Sequence, residues 1–116
     1  MANMTEAETS RRIQLAATKV GCRLFRNTVG ILPDRHGRMI SFGLAKGSSD
    51  LIGFCMRGGV AVFLAVEVKS ETGRATPEQL QFLHAVIESG GIGILARSVE
   101  GFISDIEKWS TLHGYG

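Results

Sequence analysis

Val60-Ala-Val-Phe-Leu-Ala-Val-Glu-Val-Lys69 contains the longest apolar run in the chain and ends in two opposite charges. Flanking glycines and the abundance of Val, Phe and Leu predict a buried strand over 60–68 rather than a helix. Strand side chains alternate, so Val62, Leu64, Val66 and Val68 share one aliphatic face, while Ala61, Phe63, Ala65, Glu67 and Lys69 share the other. Glu67 and Lys69 therefore stand side by side at the end of an otherwise apolar strand. Buried charges are costly unless they are paired or bound to a metal. Taken alone, a Glu-x-Lys spacing is satisfied by a structural ion pair.

The preceding segment adds a second carboxylate. Asp50 opens an apolar stretch, 50–56, and Arg57-Gly58-Gly59 reads as the turn into the 60–68 strand. A hairpin turning near Gly58 places Asp50 beside Glu67. Two carboxylates in one place repel unless a cation lies between them. Oxygen ligands suit Mg²⁺ or Mn²⁺, which keep several waters and leave positions open for phosphate. Lys69, on the same face as Glu67, is placed to hold or deprotonate a water aimed at phosphorus. An Asp…Glu-x-Lys set of this kind suits metal-assisted hydrolysis of a phosphodiester.

The rest of the chain frames this pair. Thr5–Val20 reads as a helix, with Thr5 as N-cap, Glu8 at the third helical position, and Ile13, Ala16, Ala17 and Val20 at helical spacing. Cys22–Asn27 and Arg38–Gly43 read as short strands separated by turn chemistry at Leu32–Gly37. Thr76-Pro77-Glu78-Gln79 announces a second helix, with Leu80, Leu83, Val86 and Ile87 as its buried stripe and His84 half-buried. Ile92–Ala96 is a last strand, and Ser98 caps a last helix with Val99, Phe102, Ile103 and Ile106 on its apolar side. The expected fold is one α/β sandwich over residues 1–116, in the order α-β-β-β-β-α-β-α.

Composition bounds the partners. The chain has 116 residues, 44% of them hydrophobic and 21% charged, as in an ordinary globule and unlike a disordered or fibrous chain. The net charge of +2 conceals an asymmetry: Arg11–Arg74 carries eleven Lys or Arg against four acids, a local +7. That basic segment points to a polyanion, or else to a merely solvated surface. Cys22 and Cys55 are too few for a disulfide framework and too isolated for a zinc finger, so reduced thiols in an intracellular protein are expected. The polar N-terminal stretch and the lack of a long apolar segment predict no signal peptide and no membrane span. The three histidines share no spacing, so a zinc or His-based nuclease site finds no support. Neither a nucleophile elbow nor a phosphate-loop lysine is present, and no nucleotide cofactor is expected.

Asp50 followed by Glu67-Val68-Lys69 resembles the PD-(D/E)xK nuclease signature. Five segments in order narrow this to the VRR-NUC family: Phe25–Gly30, Gly47–Gly53, Glu67–Ser70, Gly73–Gln79, and Gly90-Gly91 through Ala96-Arg97-Ser98. The resemblance runs from about Glu8 to Ser98. It implies a restriction-endonuclease-like sandwich with a central mixed sheet flanked by helices. It makes Asp50 and Glu67 metal ligands, with the Val68 carbonyl a third, and Lys69 the catalytic lysine. Glu8 matches the family's additional acidic residue, although Thr5…Glu8 is also a capping box and Glu6 is a rival. Gln79 matches the family's glutamine, where a cap with Thr76 is again an alternative. Ser49 stands where the family usually has Pro, which bears on backbone shape and leaves the ligands intact. Arg26, Asn27, Lys46, Ser48, Arg74 and Arg97 lie in or beside these motifs and are the candidate DNA contacts, with structural bonding or simple solvation as the alternative.

For stand-alone members, the resemblance implies a Mg²⁺- or Mn²⁺-dependent homodimer that cuts branched DNA such as four-way junctions, in the cytoplasm of a bacterial or phage-infected cell. Its longer relatives, the Fanconi-associated nucleases, work on flaps. A nuclease for linear or single-stranded DNA and a non-catalytic binding module of the same fold are the rival readings. The apolar residues expected to join two copies are Phe102, Ile106 and Trp109 of the last helix, or the strand near Ile40 and Phe42.

Overall fold

The structure is a computed structural model that describes residues 4–115; residues 1–3, at the head of the polar N-terminal stretch, and residue 116 lie outside it. Its elements are α1 (Glu6–Lys19), β1 (Cys22–Arg26), β2 (Gly30–Pro33), β3 (Met39–Phe42), β4 (Leu51–Arg57), β5 (Val60–Val68), α2 (Pro77–Glu88), β6 (Ile92–Ala96) and α3 (Val99–Leu112). β1, β4, β5 and β6 lie in that order in one sheet. β1–β4 and β4–β5 are antiparallel, while β6 runs parallel to β5 after the α2 crossover. The expected mixed sheet flanked by helices is present, and its elements follow in the expected order.

Both faces of the sheet are covered, as the doubly apolar β5 requires. Ile13 and Ala17 of α1 and Phe102 and Ile106 of α3 pack on Leu64, Val66 and Val68. Leu83 and Val86 of α2 pack on Ala65 from the other side. A fully buried Phe or Ile of this kind contributes roughly 1.5–3 kcal/mol. Each helix begins as its sequence dictates: Thr5 and Thr76 close capping boxes with Glu8 and Gln79, and the Ser98 side chain accepts from Gly101 N–H.

Several expectations need correction. One further strand, β2, pairs with β3 as a separate two-stranded sheet. The turn expected over Leu32–Gly37 starts later, because Leu32 and Pro33 end β2 and Asp34 N–H donates to the Arg38 carbonyl at 2.7 Å. β5 is buried only from Leu64 onward, because β6 begins opposite Leu64 and leaves Val60–Phe63 paired on the β4 side alone. Leu80 and Ile87 are exposed, since α2 lies over the β5–β6 edge and buries only the Leu83–Val86 stripe. His84 is likewise exposed and pairs with Glu88 at 2.9 Å. Cys22 and Cys55 are not isolated thiols: the β1–β4 register sets them directly opposite and they form a disulfide. Phe102 and Ile106 belong to the core, so they cannot join two copies. Trp109 is partly buried and stacks with His113 and Tyr115.

Candidate active site

The sheet delivers two acids to one end. Leu51 opposes Val66, so one step beyond the ladder Asp50 stands across from Glu67, as the hairpin predicted. The loop before Asp50 is held from several directions. Asn27 donates through Nδ2 to Ser48 Oγ at 2.8 Å and to the Ser49 carbonyl at 2.9 Å, and its Oδ1 accepts from Leu44 N–H. Asn27 N–H donates to the Asp50 carbonyl at 2.7 Å. Ser48 Oγ in turn donates to the Ala45 carbonyl at 2.7 Å. Gly47 adopts φ +87° with its backbone against Glu78, where a Cβ would come within 2.7 Å of the Glu78 Cβ. Only glycine accepts both the angle and the approach. Asn27 and Ser48, candidate DNA contacts by sequence, are thus bonded to each other and shape the loop that carries Asp50, while both also line the neighbouring cavity. Ser49, where the family usually has Pro, is fully buried, and its hydroxyl has no partner among the described residues.

Glu67 is the unusual group. Only 1% of it is exposed, yet it is ionisable and sits on the face toward α2. Its Oε1 accepts from Gln79 Nε2 at 2.9 Å, and Lys69 Nζ lies 3.8 Å from the same oxygen. Its Oε2 makes no hydrogen bond to any other described residue as the carboxylate stands, with the Asp50 carboxylate as its charged neighbour. Burial, reinforced by the charge and hydrogen bonding of Asp50, pushes the Glu67 carboxyl up to about 7, against a smaller opposing pull from Lys69. Asp50 directs Oδ2 at Val68 N–H, 3.0 Å away. Gln79 makes two contacts at once. Its Oε1 accepts from Thr76 N–H at 2.8 Å, closing the helix cap, while Nε2 reaches Glu67.

Beside these groups lies a cavity of about 540 Å³, walled by Asp50, Val68 and Gln79 from the sheet and α2. Arg26 and Lys46 give it basic sides, and Glu6, Ala7 and Ser10 of α1 close it. Glu8 is not among the lining residues. Its carboxylate accepts from Thr5 N–H at 3.2 Å, so it belongs to the cap, and the rival Glu6 is the acid of α1 that faces the cavity. Sequence reasoning overlooked Ser10 and Thr28 as lining residues. The i, i+4 spacing of Glu6 and Ser10 on one helical face was the available signal for the first. Arg97 is engaged with protein: its Nη1 donates to the carbonyls of Ser70 and Gly73, each at 2.6 Å, and of Glu71 at 3.3 Å. It thereby clamps the loop that follows Lys69. Arg74 is exposed.

No cluster of three or more His, Cys, Asp or Glu placed for a metal occurs among the described residues. The candidate donors are instead the carboxylates of Asp50 and Glu67 and the Val68 carbonyl, all oxygen. The unpartnered, buried Oε2 of Glu67 is the kind of atom that a hard divalent cation satisfies. The residues fit Mg²⁺ or Mn²⁺.

Known proteins share the fold of this chain. A search of curated protein sequences finds no match. Two solved structures share the fold. One, described as a VRR_NUC domain, has a TM-score of 0.58 at 22% identity, with 88% of this chain and 94% of that one covered. The other, a VRR_NUC domain protein, has a TM-score of 0.59 at 21% identity, with 97% and 93% covered. The family model of the VRR-NUC domain matches residues 6–100, a span that contains the whole sheet. The chain therefore belongs to the VRR-NUC domain family, a family of nucleases.

Proposed function

We propose that this protein is a divalent-metal-dependent endonuclease that hydrolyses phosphodiesters in branched DNA, four-way junctions foremost, as a homodimer. One observation carries the reading: a buried carboxylate, Glu67, with an unsatisfied oxygen, set across from Asp50 and beside Lys69 next to a basic-walled cavity. A structural ion pair alone does not account for it, because Lys69 approaches only Oε1 and leaves Oε2 orphaned.

Asp50, Glu67 and the Val68 carbonyl would hold Mg²⁺ or Mn²⁺, which when bound would supply Lewis-acid neutralisation of the scissile phosphate. Asp50 is pre-oriented by Val68 N–H, and Glu67 by Gln79. Lys69 orients the attacking water and stabilises charge gathering on the phosphate oxygens. Arg26 and Lys46, on the cavity wall, and Arg74 hold neighbouring phosphates. Glu6, rather than Glu8, supplies the acidic group of α1. Two opposed cuts in a junction require two sites at fixed separation, which a two-fold dimer provides.

The test is cleavage of labelled linear, flap and four-way DNA with Mg²⁺ and with chelator. Metal-dependent paired nicks in the junction are expected, and Asp50→Asn should abolish them while leaving DNA binding intact. Cleavage that persists in chelator, or in Asp50→Asn, rules out the metal assignment. Equal nicking of all three substrates rules out branch preference.

A further inference from the structure

The β2–β3 hairpin stands apart from the body of the protein. Its strands pair with each other, and neither packs extensively on any other element. The radius of gyration is 15.1 Å, against about 13 Å expected for a compact globule of this length. Every side chain of β3 and all of β2 beyond Gly30 are exposed. A lone two-stranded hairpin is marginal in water, so something must cover this one.

We infer that the hairpin is the surface through which two copies of the chain pair; this rests on the homodimer reading above and gives the dimer its place. The register sorts the side chains. Leu32 opposes Ile40, and Phe42 opposes Gly30, over which its ring lies so closely that a Cβ there would meet it at 2.5 Å. That face is wholly apolar. The opposite face carries Ile31 and Met39 and is nearly as apolar. Ile31 and Leu32 are 60% exposed, Met39 66% and Ile40 51%. On the one face, Leu32, Ile40 and Phe42 expose on the order of 300 Å² of apolar side chain, the centre of an interface whose standard size is ~800 Å² per partner.

The chemistry favours a second copy over DNA. Phosphates need cations, and neither strand of the hairpin has a charged residue; Asp34, Arg35, His36 and Arg38 are all confined to the turn between them. An uncharged strand with a free edge also pairs with its own two-fold mate without like-charge repulsion, which makes the hairpin self-complementary. Position agrees as well. The hairpin leaves the body at Asn27–Val29 and returns at Lys46–Ser48, all of which line the cavity. Pairing there fixes two cavities relative to each other.

The experiment compares wild type with Leu32→Glu/Ile40→Glu by light scattering across micromolar concentrations. Hydrogen exchange at 30–33 and 39–42 and nicking of plasmid DNA are read on the same samples. Both substituted side chains are exposed, so the variant should still unfold cooperatively, with its melting temperature lowered only by loss of the partner. Wild type should have the mass of two chains and protected hairpin amides. The variant should dissociate at least about 30-fold more readily, as expected when a central contact is lost. It should lose the protection and still nick plasmid. A double variant that keeps the two-chain mass overturns this placement while leaving the homodimer standing; the apolar groove between α2 and β6 (Leu80, Ile87, Leu95) would then be the interface. A wild type with the mass of one chain overturns both, and nicking reports separately on the nuclease. A variant that changes DNA affinity but not mass shows that the hairpin binds DNA, and overturns the inference.

Discussion

Replacing Glu67 with Gln should stabilise the protein and inactivate it. The side chain is buried, and its carboxyl is pushed from an ordinary 4.5 to about 7, chiefly by burial and then by Asp50. In the unfolded chain it titrates near 4.5, so between pH 4.5 and 7 the folded state holds the extra proton. Stability of the metal-free protein therefore falls as pH rises through that window, and the full cost is present above pH 7. At about 1.4 kcal/mol per pH unit over the 2.5 units between 4.5 and 7, the burden at pH 8 is at most about 3.5 kcal/mol. Glu67→Gln keeps the shape and an oxygen for Gln79, and it removes the charge. In chelator at pH 8 the variant should melt about 10 °C above wild type, and the gap should close by pH 4.5. Mg²⁺ should raise the wild-type melting temperature at pH 8, where it takes the place of the proton, and leave the variant unmoved. Calorimetry across pH, with and without Mg²⁺, makes the comparison. A variant no more stable than wild type at pH 8 in chelator refutes the argument that a buried, under-compensated carboxylate sits here.

Lys69→Ala should lose turnover by several orders of magnitude while retaining the Mg²⁺-dependent rise in melting temperature, measured by the same calorimetry. DNA affinity should fall with salt at a log–log slope of about −0.9 per neutralised phosphate. Arg26→Ala and Lys46→Ala should each reduce that slope by about 1 in a fluorescence titration. Arg97→Ala, which frees the loop after Lys69, should leave the slope unchanged and lower kcat; a reduced slope would make Arg97 a phosphate contact after all. The two acids of α1 should separate cleanly. Glu8→Ala should cost about 1 kcal/mol in urea unfolding with cleavage intact, and Glu6→Ala should impair cleavage with stability intact.

The amino-acid sequence by itself determined the frame of this protein. The β5 run, the glycine turn at 58–59 and the capping signals at Thr5, Thr76 and Ser98 are local, and local rules of alternation, turn geometry and capping suffice to read them. Alternation also put Glu67 and Lys69 on one face, and hairpin register put Asp50 across from Glu67. These are short-range consequences of chain geometry. Only the tertiary structure decided what depends on which distant groups meet. Glu6 and Glu8 lie within the same helical turn, and it took the placement of α1 against the sheet to turn one to the cavity and leave the other in the cap. Gln79 is a cap residue to its neighbours and reaches Glu67 only because α2 crosses the end of β5. Arg97, Asn27 and Ser48 carry the side chains of DNA contacts, but carbonyls and amides far off in sequence claim them first. Cys22 and Cys55 meet because β1 pairs with β4. Periodicity records which face of its own element a side chain occupies; which groups wait on the other side is set by packing between elements, and that is written in no single stretch of the chain.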